Sequence, residues 1–427
     1  MPSEGSSAWP LVVAGGGAAG FMAAISAAEA GLKGILLLEA TRDPLAKVLI
    51  SGGGRCNVTH ACWDARALVG HYPRGGRALL GCFSRFATTE AVAWFEAHGL
   101  ELVEEPDGRL FPRSNRSSSV AHTLRQAALS AGVTLRTGAA LQGAEALPER
   151  GFRLHLRSAD SPTTLQCRRL LLATGGHPSG RRIATALGHE PVPPVPSLFT
   201  LALEANPLGD LAGVVMDPVD LQLEVADQRF RQRGAVLVTH LGLSGPATLR
   251  LTAFAARALK EHGYRARLRV DWSGGRGEQQ LEALFGDLRQ RQARRQLASW
   301  RPWPELSRRL WQHLLDRCGV DGVGRWSDLR RAHQIALIAA LRNSSYAVGG
   351  RGPFGEEFVT AGGVVLGEVN LATMASRRVE GLYFAGELLD VDGVTGGFNF
   401  QHCWSSGWLA GQAIQASFDL LEDGEHR

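Results

Sequence analysis

The run Leu11-Val-Val-Ala-Gly15-Gly-Gly17-Ala18-Ala19-Gly20 constrains this chain more than any other segment. A short apolar stretch leads into Gly-x-Gly-x-x-Gly and then into the small-residue segment Phe21 to Ala30, which reads as a helix. A second apolar run, Ile35 to Leu38, ends in Glu39. This is the strand, turn, helix, strand order of a dinucleotide-binding unit. Gly15 permits the tight turn, Gly17 lets the backbone approach a pyrophosphate, and Gly20 lets the helix lie close on the strand. Free amides at the helix start and the positive end of its dipole favour phosphate there. Glu39 is placed to accept hydrogen bonds from a ribose. The competing reading is a Gly-rich βα turn that binds nothing.

A chain of 427 residues implies two or three domains. With 44% apolar and 20% charged residues it suits a globular enzyme with a large core. No apolar run reaches the roughly 18–20 residues of a membrane helix. The first nine residues carry no Lys or Arg, which argues against a secretory leader, and Met1 to Ala8 reads as a tail. Cys56, Cys62, Cys82, Cys167, Cys318 and Cys403 are scattered, with no C-x-x-C pair. Neither a metal site nor a disulfide framework is indicated, and a cytoplasmic protein is expected. A net charge of +5 fits anionic ligands without requiring nucleic acid.

Helical spacing appears over Ala87 to His98 and Ser117 to Ala131, and Val133 to Gly143 reads as a strand. Phe152 to Leu156 and Thr164 to Gln166 read as a hairpin, and Arg169 to Gly176 as a buried strand entering a Gly turn. Prolines 191, 193, 194 and 196 mark an exit from the first domain. From 195 to 272 the pattern is β-rich, and from Glu278 to Leu341 it is helical and rich in Arg and Trp. Strands and glycines return from Thr360, ending in Leu382 to Glu387 and a helix over His402 to Phe418. The expected boundaries are a tail over 1–9, a cofactor domain over 10–194 and 360–420, a β-rich insert over 195–275 with its return at 346–359, and a helical subdomain over 276–345.

Three stretches end apolar strands in glycines: Gly15 to Gly20, Thr174 to Gly176, and Gly386-Glu387. A doubly wound sheet brings strand C-termini to one edge, so these turns can converge on one ligand. Only the first carries the full phosphate fingerprint, so a single dinucleotide is expected. The segment Asp390 to Asn399 runs through Gly396 and Gly397 into a helix. A helix N-terminus there would stabilise the negative charge of a reduced flavin by roughly 0.3–2 kcal/mol. Ser405, Ser406, Gly407, Ala410 and Gly411 would let that helix sit close to the sheet.

Leu49 to Thr59, Thr239 to Ala247, Thr360 to Val364 and Gly381 to Asn399 resemble the signatures of the HI0933-like flavoproteins, bacterial oxidoreductases of the aminoacetone-oxidase type. The resemblance runs from about 10 to 415. It implies an α/β fold similar to the glutathione-reductase-like flavoproteins of the fumarate-reductase type. A Rossmann-type FAD-binding domain, a doubly wound sheet, would be interrupted by a β-barrel-like domain and a small helical subdomain. FAD is then the expected cofactor, on Gly15, Gly17, Ala18, Ala19 and Gly20, with Glu39 on the adenosine ribose. The resemblance further implies that Lys47, Ser51, Gly53, Gly54, Arg55 and Asn57 line the pyrophosphate and flavin side. Leu141 would contact the adenine through its backbone, and Thr174 and Gly175 would cover the nucleotide. Gly386 and Glu387 would hold the ribityl-phosphate region, and Gly397, Phe398 and Asn399 the isoalloxazine. After Thr174-Gly-Gly176 many relatives have a longer Gly- and Ser-rich turn, where this chain has only His177 to Arg182 before a short helix.

Candidate catalytic groups are Cys56, as a thiol activated by Arg55 or a helix, and His402, as a proton donor. Each has a plain alternative, as a small buried residue and as a packed helix residue. For Arg55 the choices are an anionic substrate group or the FAD phosphate, with the phosphate expected, and His240 and Ser244 are expected in structural hydrogen bonds. Arg289 to Arg295 and Arg308-Arg309, beside Trp300, Trp303 and Trp311, invite a nucleic-acid reading, but interspersed acids favour a solvated face. The expected function is an FAD-dependent oxidoreductase acting on a small-molecule substrate, with NAD(P)H a candidate transient electron donor. Hydride would pass to an electron-poor double bond or, in the other direction, from an amine or alcohol to the flavin and on to oxygen. Family members that reduce steroid-type enones favour the first direction. The alternatives are a flavin-dependent tRNA modifier and a flavin-binding protein without turnover. Composition leaves the oligomeric state open.

Overall fold

The computed structural model describes residues 8–157, 162–352 and 359–425. The chain divides into two compact units, one formed by Met1–Val195 with Val359–Arg427 and the other by Pro196–Phe358.

The first unit is built on a nine-stranded sheet. Its parallel centre starts with β1 (Trp9–Ala14), so Trp9, grouped with the tail in the sequence, already lies in a strand. Helix α1 (Ala18–Glu29) follows, and β2 (Ile35–Leu38) pairs parallel with β1 on one side. Strand Pro162–Leu172 pairs parallel with β1 on the other side, and Leu382–Phe384 lies parallel beyond it. All four residues of β2 and the last four of β1 are buried, as expected for parallel strands covered on both faces.

The expected strand over Val133 to Gly143 is two strands, Thr134–Arg136 and Ala140–Ala146. Gly138, at φ +65°, turns the chain between them, and Gly138 N and Ala139 N donate to the carbonyls of Thr41 and Glu39. The hairpin's second arm and the buried strand after it are one continuous element, Pro162–Leu172. Its first half pairs antiparallel with Phe152–Arg157 and its second half enters the parallel core. The helix after Gly176 begins at Pro178, inside the expected turn, with Pro at its first position where no amide bond is lost.

The C-terminal helix Phe398–Glu425 starts four residues before the expected His402. Its small face meets α1 rather than the sheet. A Cβ on Gly407 would lie 2.6 Å from the Ala19 carbonyl oxygen, and one on Gly411 would lie 2.5 Å from that of Ala23.

The second unit contains a closed six-stranded barrel, in the order Leu201–Leu203, Gly242–Ser244, Gln228–Val238, Val215–Val225, Ala266–Asp271 and Ser344–Arg351. Leu221, Leu223, Val225, Leu268 and Val270 alternate with polar neighbours along their strands and are buried. Helices Glu278–Arg291, Arg308–Arg317 and Arg331–Arg342 bury Phe285, Trp311, Leu314 and Leu337 in the same hydrophobic core as the barrel. The sequence separates these helices at 275/276; one continuous core joins them to the barrel. Thr200 Oγ1 donates to Ser244 Oγ at 3.0 Å, and the His240 carbonyl accepts from Asn206 Nδ2 at 2.7 Å.

Candidate flavin-binding site

Sheet order decides which turns meet. Leu382–Phe384, Pro162–Leu172 and β1 are adjacent and parallel, so the turns after Ala14, Leu172 and Phe384 leave one edge side by side. Gly15 sits at φ +118°, and a Cβ there would lie 2.3 Å from the Ala173 carbonyl oxygen. Around the proposed position of Gly17's missing side chain there is nothing within 4 Å. No side chain caps the helix that Gly17 opens, which leaves its first amides, those of Ala18 and Ala19 included, without a side-chain acceptor.

Glu39 closes this end of the cradle. Its Oε2 accepts from Gly16 N at 2.9 Å, and its Oε1 accepts from Thr41 N and Thr41 Oγ1, each at 2.8 Å. Leu141 lies in a strand whose register shifts just after it, opposite Leu156.

The segment Ala46–Gly54 begins as a helix and breaks at Ser51, Gly52 and Gly53, the two glycines lying at φ +57° and +68°. Lys47 Nζ donates to Glu387 Oε2 at 2.8 Å, tying this segment to the turn after Leu382–Phe384. Gly175, at φ +61°, has the same Glu387 oxygen 3.5 Å from where its Cβ would be. Lys47, Gly175 and Glu387 therefore share one locality. Gly53 and Gly54 face open space on their Cβ side.

Gly397, at φ +91°, carries the chain into the C-terminal helix past Thr59 and Asn57, whose Oδ1 lies 2.9 Å from where a Cβ would stand. Asn399 locks the preceding turn, with Oδ1 accepting from Gly393 N at 2.8 Å and Nδ2 donating to the Gly393 carbonyl at 2.9 Å. Tyr72 Oη donates to the Phe398 carbonyl at 2.6 Å. The Phe398 ring stacks on His71 at 4.1 Å between centroids and lies 4.7 Å from His60. Arg74 donates from Nε and Nη2 to both oxygens of the fully buried Asp392, in the same turn. His60, His71, Tyr72 and Arg74 escaped the sequence reading because each is defined by a partner more than 300 residues away.

Three expected roles are corrected. Cys56 is completely buried, and burial pushes its thiol up to about 12, with only a partial offset from Ser51. A thiol held neutral and out of solvent is not a nucleophile. His402 is buried too; burial pushes it down to about 4, and it meets the Gly386 carbonyl oxygen through Nε2 at 3.2 Å. It is neutral in this structure, and its buried Nδ1 has no protein partner among the described residues. The Arg55 guanidinium is taken up by protein groups. Its Nε donates to Asn115 Oδ1 at 2.6 Å, its Nη2 pairs with Glu105, and its guanidinium stacks 3.8 Å over the Phe111 ring.

A sequence profile described as the HI0933-like protein Rossmann domain matches residues 10–413. The chain belongs to the HI0933-like family. Relatives within reach of this family include the 3-dehydro-bile acid delta(4,6)-reductase of Clostridium scindens, 30% identical over 415 residues, which cover 94% of this chain and 98% of the relative. The ribosomal RNA dihydrouridine synthase of Escherichia coli is 29% identical over 424 residues, covering 95% and 98%. The HI0933-like chain also shares its fold with a 3-ketosteroid delta1-dehydrogenase from Sterolibacterium denitrificans (TM-score 0.53, 13% identity, 96% and 100% covered). A flavocytochrome c3 fumarate reductase is similar at TM-score 0.50 and 18% identity, covering 97% and 79%. The protein is thus an FAD-dependent oxidoreductase of the HI0933-like family. Among the described residues no helix is long and apolar enough to cross a membrane, and no cluster of His, Cys, Asp and Glu is arranged to hold a metal ion.

Proposed function

We propose that this protein saturates a carbon–carbon double bond conjugated to a carbonyl, holding FAD across the cradle of Gly15, Gly17, Glu39, Lys47, Gly175, Glu387 and Gly397. The observation that carries the cofactor assignment is the uncapped α1 N-terminus beside the open space at Gly17. That is the shape a pyrophosphate needs. Asn57 Oδ1 and Thr174 Oγ1 support it as buried oxygens with no protein partner. Such groups carry an unmet hydrogen-bonding cost unless a ligand supplies the bond.

When bound and reduced, FAD supplies a hydride. The chain's own residues hold the adenosine ribose at Glu39, leave backbone amides for the phosphates, and present the start of helix Phe398–Glu425 where negative charge accumulates. Lys47 and Glu387 neutralise each other across the site mouth. His60 and His71, half-buried against Phe398, are the candidate sources of the proton that completes saturation.

The substrate class follows from what two relatives of unlike substrate have in common. A 3-oxo-4,6-diene and the uracil ring each offer a double bond polarised by an adjacent carbonyl, and each loses it on reduction. NAD(P)H is the proposed donor. Mixing the oxidised protein anaerobically with NADH and with NADPH tests the donor. Bleaching by one of them supports this reading, and bleaching by neither shows that electrons enter from another source. A double bond carried by a pyrimidine of RNA is the second reading, favoured by the uneven charge of the two units described next.

A further inference from the structure

The whole basic excess of the chain lies in one unit. Between Pro196 and Phe358 there are 23 Lys and Arg against 17 Asp and Glu, whereas the rest of the chain has 23 against 24. All but one of those 23 cations are arginines.

Two places in this unit gather them. The first is a hollow of about 740 Å³ on the outer face of the barrel, lined by Arg231, Arg233, Arg269 and Arg342 but also by Asp220 and Asp271. Those two acids stand directly opposite each other across neighbouring strands. Arg233 is already paired with Asp220 at 3.3 Å, and Arg342 with Glu278 at 2.9 Å. This hollow does not present one sign of charge.

The second place gathers arginines that no carboxylate among the described residues pairs with, although the exposed Asp321 and Asp328 flank Arg325 in sequence. After helix Glu278–Arg291 the chain pairs with a later segment as a short ribbon. Leu297 N donates to the Gly324 carbonyl at 2.9 Å, Trp326 N to that of Arg295 at 3.0 Å, and Ser327 N to that of Ala293 at 3.1 Å. Gln296 and Arg325 face each other across it. Arg294, Arg295 and Arg325 are exposed, and among the described residues none of the three has a carboxylate within ion-pair distance. Trp300, at the end of the same ribbon, is 38% exposed, while Trp303, Trp311 and Trp326 are buried. The Arg295 guanidinium lies 5.0 Å over the Trp300 ring. Trp326 Nε1 donates to the Trp300 main-chain carbonyl at 2.9 Å, which anchors the backbone that carries the exposed indole.

Arginines without a carboxylate partner beside an exposed indole match the two demands of single-stranded nucleic acid, phosphate neutralisation and base stacking. We infer that this Arg294–Arg295–Trp300–Arg325 ribbon is a docking surface for single-stranded RNA. The inference rests on the second reading above, in which the reduced double bond belongs to a pyrimidine of RNA.

The test uses the full-length holoprotein and a fluorescein-labelled single-stranded 20-nucleotide RNA of mixed sequence, titrated at several salt concentrations. Replacing Arg294, Arg295 and Arg325 by Gln together is expected to weaken binding. It should also lower the slope of log affinity against log salt by about 2, three phosphates at roughly 0.7 each. Trp300→Ala is expected to weaken binding by roughly tenfold with the slope unchanged, because stacking releases no counterions. As a control, replacing the exposed Arg77, Arg125 and Arg157 of the other unit by Gln removes the same charge and should leave the slope as it was. Absence of binding at low salt would overturn the inference. So would equal losses in the control, or duplex RNA held as tightly as the single strand. A silent Trp300→Ala with polyglutamate competing as well as RNA would also overturn it, and would indicate an acidic protein partner instead. Because binding is measured without turnover, failure here leaves reduction of a small enone by the flavin intact, and failure of that reduction leaves this result readable.

Discussion

Gly20 lies so close to Gly15 that a Cβ on Gly20 would stand 1.9 Å from the Gly15 carbonyl oxygen, and backbone cannot yield that distance locally. Gly17, three residues away in the same turn, has nothing within 4 Å of its Cβ direction and an ordinary φ of −94°. The two positions therefore separate folding from ligand binding. Gly20→Ala should lower the melting temperature sharply and yield protein without flavin. Gly17→Ala should melt within a few degrees of the parent when both are flavin-free, yet retain little FAD after gel filtration. Absorbance near 450 nm (roughly, for oxidised flavin) and thermal unfolding of both apo-proteins check this. Full FAD retention in Gly17→Ala would remove the pyrophosphate from that turn.

Acid should weaken the fold through His402. Its folded value of about 4 lies below the ordinary 6.5, so the unfolded chain takes up a proton that the folded chain refuses across that window. Stability conferred by the neutral imidazole is present above 6.5 and is lost as pH falls from 6.5 toward 4. Its full extent is roughly 3 kcal/mol. Urea unfolding at pH 7.5 and 5.0 should show the loss, and His402→Gln should show a shallower one. A catalytic His402 would instead give a variant with normal stability and abolished turnover.

Native thiol titration should find two reactive cysteines. Cys62 and Cys318 are partly exposed, whereas Cys56, Cys82, Cys167 and Cys403 are buried. All six should react after unfolding. Cys56→Ala should keep its turnover within a few-fold, since a thiol raised to about 12 contributes no thiolate at neutral pH. Rapid loss of activity on modification of Cys56 in the native protein would contradict this placement.

Arg74 and Asp392 form a two-pronged ion pair with Asp392 wholly buried. Asp392→Ala leaves a guanidinium in a low-dielectric site, and breaking such a pair typically costs about 3–5 kcal/mol. The substitution should also loosen the Asp390–Asn399 turn, so the variant is expected to melt early and bind FAD weakly. A double Arg74→Met, Asp392→Leu variant should recover part of the stability, which calorimetry would detect.

Local pattern made the first third of the site legible. Gly15, Gly17, Gly20 and Glu39 fall within one strand–helix–strand unit, where spacing alone dictates geometry. The Asp390–Asn399 turn was readable for the same reason. Burial and distant pairing were not. Arg55 reads as a phosphate ligand until Glu105 and Asn115, 50 and 60 residues on, claim its guanidinium. The small face of the C-terminal helix was visible, but its partner could have been the sheet or α1, and only the approach to Ala19 and Ala23 decides. Gly138 split an expected strand because its backbone meets Thr41, a pairing that no periodicity records. His71 meets Phe398 only across more than 300 residues, so nothing in its own sequence neighbourhood marks it as part of the site.

Reduction of a carbonyl-conjugated double bond by the protein-bound flavin can be watched directly. The most direct test reduces the holoprotein anaerobically with dithionite, removes the excess, and mixes it in a stopped-flow instrument with a 3-oxo-4-ene steroid, a uridine-containing RNA, an unconjugated alkene and a saturated ketone. The flavin band is expected to return with the enone or the RNA in a one-to-one ratio, giving a product that has lost the double bond and kept its carbonyl. The alkene and the saturated ketone should leave the band bleached. Reoxidation by oxygen alone, with every conjugated carbonyl inert, would contradict it.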